Sequence, residues 1–507
     1  MSLRDDTSSA SSSSQRKNVS TGVESEDGHR RWRDRGFNMI RKNILPGKPS
    51  FSKRRKFFRE DTSSPMPTED PPFPVYISDA DYKDIMAKAQ TVLAMKKDLL
   101  SDDPAAQLEA ATQFGKLLSG GYIRLIDKVK QADVVRRFVQ FLKRDDMPQL
   151  QSMAAWTLIN VTAGLSEHTN TVIEHGAVPL LVKLLSSGSD DGKEQALWAL
   201  GNIAGSSETA KDVVLNHGAL PPLLSLLWNP SATEKSTWRI AIWAFANVIP
   251  GKLPLTLEDQ VGKTLPGLRE LLLMPDELVL LYACSILYWI TRDGSGKMVQ
   301  AILEGNFCPR LVELLLYPKS EVVVTALHAL GEIACRNDAQ TQVLINSGAL
   351  LCLKDLLTQS DKIILQEACF VILNIAGGNI AQKQDVIDAD LISSLVRLTK
   401  ADFEIRKEAV WAICNVTEGT HEHIRYLVRN GCIEALCDQL TSTDADMLGL
   451  CLTGLYNILK AGEINKDKIK ECAGLDKIKR LQSCNMAVYI LKTYFPEDLE
   501  AIAEEKP

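Results

Sequence analysis

A tryptophan is followed four residues later by an asparagine at Trp156/Asn160, Trp198/Asn202, Trp243/Asn247 and Trp411/Asn415. An indole face attracts the charged head of Lys or Arg and covers its aliphatic stem, an attraction of roughly 0.5–2 kcal/mol per contact. A primary amide carries both donor and acceptor, so it can hold the main chain of an extended peptide without reading its side chains. Together the pairs describe recognition of an extended, Lys/Arg-rich peptide. Tryptophan would set the preference for long basic side chains, and asparagine would fix the backbone. Indoles standing as parallel walls would leave slots of alkyl width. A tryptophan used only for core would need no asparagine at a constant offset, and Asn is a poor helix-interior residue.

That chemistry requires elements that bring the pairs to one side. A spacing of four puts both side chains on one face of one helix. The Trp-to-Trp steps are 42 and 45, and the step on to Trp411 is 168, four times 42. A period near 42 describes stacked helical repeats rather than a compact globule. A second landmark keeps the same period: HGAVPLLVKLL (Gly176), HGALPPLLSLL (Gly218), SGALLCLKDLL (Gly348) and NGCIEALCDQL (Gly431). Each is a glycine followed by an apolar, helix-spaced segment, and the glycine suits a left-handed turn between two helices. Extended along the chain, the Trp column reads Gln113, Trp156, Trp198, Trp243, Ser285, His328, Phe370, Trp411 and Thr453. Four residues on, it reads Leu117, Asn160, Asn202, Asn247, Trp289, Glu332, Asn374, Asn415 and Asn457. Nine repeats and a C-terminal half repeat fill about residues 80–495.

Charge divides the chain. Residues 1–65 carry a net +7 and the remainder a net −13. An acidic body argues against nucleic-acid binding, which needs a basic surface, and favours a cationic partner. Residues 1–28 are Ser-rich and expected to be disordered; 29–59 hold twelve Lys/Arg and one acid, Asp34; 60–76 are a Pro-rich linker. Residues 77–495 are repeats, and 496–507 form an acidic tail. No apolar stretch is long enough to span a membrane, and the Ser-rich start has no signal-peptide core. All 11 cysteines lie between Cys284 and Cys484 without a CxxC pair, which reads as reduced, buried thiols. No catalytic constellation, cofactor motif or metal site emerges. DGSGKM (293–298) lacks the leading Gly and the Ser/Thr of a phosphate loop, and His421 and His423 read as an exposed helix start.

The ladder, with VTAGLSEHT (161–169), QALWALGNIAG (195–205) and KIKECAGLDKIKRLQ (468–482), resembles importin-α, the armadillo-repeat receptor for nuclear localisation signals. The resemblance implies an all-α, right-handed superhelical solenoid of three-helix repeats, with the third helices lining a groove. It implies a major peptide site at Trp156, Asn160, Trp198, Asn202, Trp243 and Asn247, with Gly164 and Thr169 at positions that hold the signal's key lysine, and with Gln195. A minor site is implied at Glu367, Asn374, Glu408, Trp411 and Asn415. That site is weakened by His328 and Glu332, where the family has Arg and Asn, and by Phe370 for Trp. The family's acid after NxAG is replaced by Ser206, with Glu208 two residues on as a substitute, and Ile240 stands where Asn is usual. Residues 29–59 resemble the importin-β-binding segment: Arg30, Arg31, Arg33, Arg35, Arg41, Lys42, then Lys53, Arg54, Arg55 and Lys56 as a built-in competitor for the groove. Pro46, Gly47 and Pro49 interrupt its helix.

The implied function is a nuclear import adaptor, not an enzyme, moving between cytoplasm and nucleus. Its implied partners are proteins with basic localisation signals, importin-β, and the importin-α exportin with Ran-GTP. The alternative is an armadillo scaffold that binds basic peptides outside the importin-β cycle.

Overall fold

The computed structural model describes residues 94–119, 123–186, 190–228, 235–462 and 464–498, which are helical, with no strand among them. The basic segment, its linker and the first tail lie outside the described residues, as do 499–507. The chain divides into two compact units between Ala301 and Ile302.

Both units repeat one motif. A short helix (Ser166–Glu174) is followed by a second (Ala177–Leu185) and by a longer third (Asp190–Ala204). The glycine landmarks sit between first and second helices. Gly176, Gly218, Gly348 and Gly431 have φ of 77, 77, 83 and 77°, the left-handed region where only glycine is free of a Cβ penalty. Polar residues start many helices by accepting orphan N–H groups. Asp276 caps at Val279, Asn337 at Gln340, Asp361 at Ile363 and Ile364, and Asp444 at Met447.

Third helices pack on one another. In the first unit Pro104–Ser119, Pro148–Thr162, Asp190–Ala204, Lys235–Val248 and Glu277–Asp293 form one such series. In the second it is Ser320–Ala334, Lys362–Ala376, Phe403–Thr417 and Ala445–Lys460. The second helices bury their Leu stripe beneath: Leu185, Leu197, Leu200, Val214 and Leu223 converge in one core. The C-terminal carbonyls of the third helices are closed by side chains seven residues on. Thr169 donates to Thr162 O (3.2 Å), Thr341 to Ala334 O (3.2 Å), Lys383 to Ala376 O (2.7 Å) and Asn465 to Ile458 O (2.8 Å). These bonds satisfy groups that a helix end leaves orphaned.

Close approach of third helices depends on missing side chains. A Cβ on Gly115 would lie 2.3 Å from the Trp156 ring, on Gly201 2.5 Å from Trp243, and on Gly331 3.0 Å from Phe370. Alanine is the better helix former by about 1 kcal/mol, but overpacking costs typically ~1–3 kcal/mol. Gly201→Ala is therefore expected to lower the melting temperature. Gly296→Ala, where a Cβ would meet nothing within 4 Å, should leave it unchanged or higher. Thermal unfolding followed by circular dichroism checks both.

Candidate functional site

The ladder is built as the spacing requires. Trp156/Asn160, Trp198/Asn202 and Trp243/Asn247 lie on three successive third helices of the first unit. Phe370/Asn374 and Trp411/Asn415 lie on two successive third helices of the second. Trp156, Trp198 and Trp243 are buried, and Trp411 is half-buried.

The indoles do not stand as parallel walls. Trp198 and Trp243 have ring centroids 5.5 Å apart and planes at 46°. An alkyl stem between two rings needs about 7 Å, two carbon contact distances. Gly201 is the cause: without a Cβ, the Asp190–Ala204 helix lets the Trp243 ring settle onto it and lean toward Trp198. A basic side chain cannot pass between the rings as they stand.

The asparagines hold the repeats together as well as facing the ladder. Asn160 Nδ2 donates to Gly115 O at 3.4 Å, and Asn202 Nδ2 to Ile159 O at 3.3 Å and Thr162 Oγ1 at 3.4 Å. Asn415 Nδ2 donates to Leu373 O at 2.8 Å. Asn374 Nδ2 turns back to Phe370 O at 2.7 Å within its own helix. The amide N–H thus binds the preceding repeat, which leaves the amide oxygen for something else. Asn160 Oδ1 and Asn415 Oδ1 are buried without a hydrogen-bond partner. So are Gln195 Oε1, Trp198 Nε1 and Ser206 Oγ. Buried polar atoms are nearly always paired in folded proteins, so these atoms retain hydrogen-bonding capacity; Gln107 Oε1, Trp228 Nε1 and Gln340 Oε1 are further exceptions away from the ladder.

Gly164 and Thr169 flank the turn after the Pro148–Thr162 helix. A Cβ on Gly164 would lie 2.5 Å from His168 Nδ1. That nitrogen accepts Leu165 N–H at 3.0 Å, so Nε2 carries the proton and donates to Asp127 Oδ1 at 2.7 Å. Asp127, Glu167 and His168 are the one carboxylate–histidine group with metal-like spacing among the described residues. Both ring nitrogens are already engaged, and the imidazole acts as a latch for the turn. His423 repeats the device. Its Nδ1 faces Thr420 N–H at 3.4 Å and its Nε2 faces Gln384 Oε1 at 2.9 Å. It is 3% exposed, which corrects the expectation of an exposed helix start; only His421 is exposed. Burial and nearby Lys383 hold the His423 pKa below its ordinary value.

Glu208 is exposed at the first position of the Glu208–Asn216 helix. Spacing had no means of revealing its neighbour Lys211, which is 3% exposed and donates to Pro250 O at 2.6 Å. Another residue without a sequence-assigned role is Arg292. Its guanidinium lies 5.5 Å over Trp289 and 6.0 Å over Tyr288, and its Nη1 donates to Tyr288 Oη at 2.9 Å. The aromatic in that repeat is already covered by a cation of its own helix. An Arg three and four residues after two aromatics was the available signal.

In the second unit the pattern is more acidic. His328 Nε2 lies 3.4 Å from Glu367 Oε1, and Glu332 is buried one turn on from His328. Glu408 is 3% exposed, with Oε2 unpartnered. Burial first, then Glu367 and Glu404, push its carboxyl well above the usual range. Adjacent Lys407 offsets this only in part, because its ammonium donates to Asp444 (3.1 and 3.3 Å) and Asp446 (3.4 Å).

Armadillo/beta-catenin-like repeats match residues 166–205, 379–418 and 420–460. Importin subunit alpha-4 of Arabidopsis thaliana is 44% identical over 80% of this chain and 79% of its own length. Importin subunit alpha-1a of Oryza sativa subsp. japonica is 44% identical over 95% of this chain and 92% of its own. A crystal structure of an engineered protein matches with TM-score 0.73 at 28% identity, covering 79% of this chain and 98% of that one.

The Glu408 environment has a pH consequence. A carboxyl raised in the folded state keeps its proton where the unfolded chain, near its ordinary pKa of about 4.3, has lost it. Stability therefore falls as pH rises above that ordinary value. Glu408→Gln removes the penalty. The expected outcome is a gain of about 1–3 kcal/mol at pH 8, the cost of a buried unpaired group, and little change at pH 4. Melting temperatures at both pH values check it.

Proposed function

This chain belongs to the importin-α family, and we propose that it is a nuclear import adaptor that binds Lys/Arg-rich localisation signals on the Trp/Asn ladder of its first unit. The single observation that carries the reading is the run of unpartnered buried polar atoms at Asn160, Gln195, Trp198 and Ser206, beside three buried indoles. A peptide laid along these helices would offer N–H groups to Asn160 Oδ1 and Gln195 Oε1 and a carbonyl to Trp198 Nε1. Its basic side chains would lie beside the indoles and near the turn of Gly164 and Thr169. The acidic repeats add long-range attraction for a cationic ligand.

The second site, at Glu367, Asn374, Glu408, Trp411 and Asn415, is the weaker one in this reading. His328 already engages Glu367, and Asn374 spends its amide N–H inside its own helix. Residues 29–59 would bind importin-β, and Lys53, Arg54, Arg55 and Lys56 would compete for the ladder while importin-β is absent. A tethered cluster needs little intrinsic affinity to compete. Recycling would use the importin-α exportin with Ran-GTP, and the adaptor would pass the nuclear pore in both directions. The work is binding, without catalysis.

A fluorescent single-cluster basic peptide titrated into the full chain tests this. Trp198→Ala is expected to weaken binding about 5- to 30-fold, roughly 1–2 kcal/mol, and Trp411→Ala by less. Replacing Lys53, Arg54, Arg55 and Lys56 with Ala should tighten peptide binding. Importin-β should bind the unaltered chain and release that competition. Peptide binding without any importin-β binding would leave a scaffold outside the transport cycle; no peptide binding would end the proposal.

A further inference from the structure

Two thiols meet where one repeat of the second unit packs on the next. Cys437 lies near the end of the Cys432–Asp438 helix, which packs against both Ile464–Glu471 and Gly474–Lys479. Cys472 lies in the turn between those two helices. The two thiols are close enough to hydrogen-bond each other. Cys472 Sγ also donates to Ile469 O at 3.4 Å. Both cysteines are free; Cys437 is fully buried and Cys472 is half-buried. Cys414, Cys432 and Cys451 neighbour one another too, but all three are fully buried, which keeps solvent-borne reagents from them.

The turn is shaped around this contact. At the corresponding place in other repeats a glycine takes the left-handed conformation, as Gly431 does at φ 77°. Here Ala473 takes it at φ 57°, which its Cβ disfavours, and the glycine stands one place on, at Gly474. A Cβ on Gly474 would lie 2.4 Å from Cys437 Sγ. The bare backbone of Gly474 is therefore what lets the Cys437 sulfur reach the turn that carries Cys472.

We propose that Cys437 and Cys472 are a redox pair, oxidised by a hydroperoxide to a disulfide that fastens the two repeats together. Burial, and then the neighbouring Cys472, push the Cys437 thiol well above its usual range, so reaction begins at Cys472, the sulfur with access to solvent. Cys472 Sγ attacks one oxygen of hydrogen peroxide. The O–O bond breaks, the leaving hydroxide takes the Cys472 proton as water, and the sulfur becomes a sulfenic acid. Cys437 Sγ then attacks Cys472 Sγ and the S–O bond breaks. The hydroxide released takes the Cys437 proton as a second water. Two electrons have passed from the thiols to the peroxide, and a dithiol reductant returns them. Each repeat of a stacked array touches only its neighbours, so repeats open locally. A link between positions 35 residues apart restricts the opened states and so holds this joint closed.

The test uses the full chain, first reduced and then treated with hydrogen peroxide. Remaining thiols are alkylated under denaturing conditions, and disulfide-linked peptides are identified by mass spectrometry. The Cys437–Cys472 link is expected before any other. It should be reversed by dithiothreitol and be accompanied by a rise of several degrees in melting temperature. Cys472→Ser should melt like the reduced, unaltered chain, which shows that it folds, and should gain nothing from peroxide. The inference falls if Cys472 ends as a sulfinic acid while Cys437 is still alkylated, or if another pair links first. It falls equally if the Cys437–Cys472 link forms without raising the melting temperature. Peptide binding on the first-unit ladder has no part in any of these outcomes.

Discussion

The contact between one third helix and the next governs the rest of this molecule. Each repeat alone cannot bury the apolar stripe of its helices, so stability comes from stacking. The stacking distance is set where a ring meets a bare backbone: Trp156 on Gly115, Trp243 on Gly201, Phe370 on Gly331. The asparagine amide then ties the pair, as Asn202 does to Ile159 O and Asn415 to Leu373 O. The side chains that build the ladder are thus the ones that hold consecutive repeats in register.

This double use shapes the chemistry. An amide that spends its N–H groups on the fold presents its oxygen, and an oxygen accepts from peptide N–H groups, which every ligand but proline carries. A row of such oxygens suits a peptide backbone of any sequence. Indoles packed edge-down on a neighbouring helix have a fixed position. Ordering such side chains in advance lowers the entropy that binding must overcome. Rigidity of the fold and readiness of the site come from the same contacts.

Much of this could be read from the chain, for a physical reason. Period, helix face and left-handed glycine are local properties, and Gly176, Gly218, Gly348 and Gly431 all take the conformation their spacing suggests. What spacing did not reveal depends on partners about 40 residues away. The tilt of Trp198 against Trp243 follows from a glycine on another repeat. The latch roles of His168 and His423 depend on Asp127 and Gln384, each about 40 residues upstream. Lys211 reaches a carbonyl 39 residues on. In a solenoid the nearest neighbour in space is one period away in sequence, and one period is beyond what a local pattern describes.

The two units also differ in who supplies charge. In the first, the acids beside the Gly164 turn are engaged by the chain's own side chains, Asp127 by His168 and Glu167 by Lys130. In the second, His328 lies against Glu367, Glu332 and Glu408 are buried, and burial with acidic neighbours pushes the Glu408 carboxyl well above its usual range. A cation arriving at Glu408 would favour its ionised form, so binding there would be coupled to pH. Two ladders built from one repeat thus differ in their electrostatics, through a handful of substitutions that leave the stacking contact untouched.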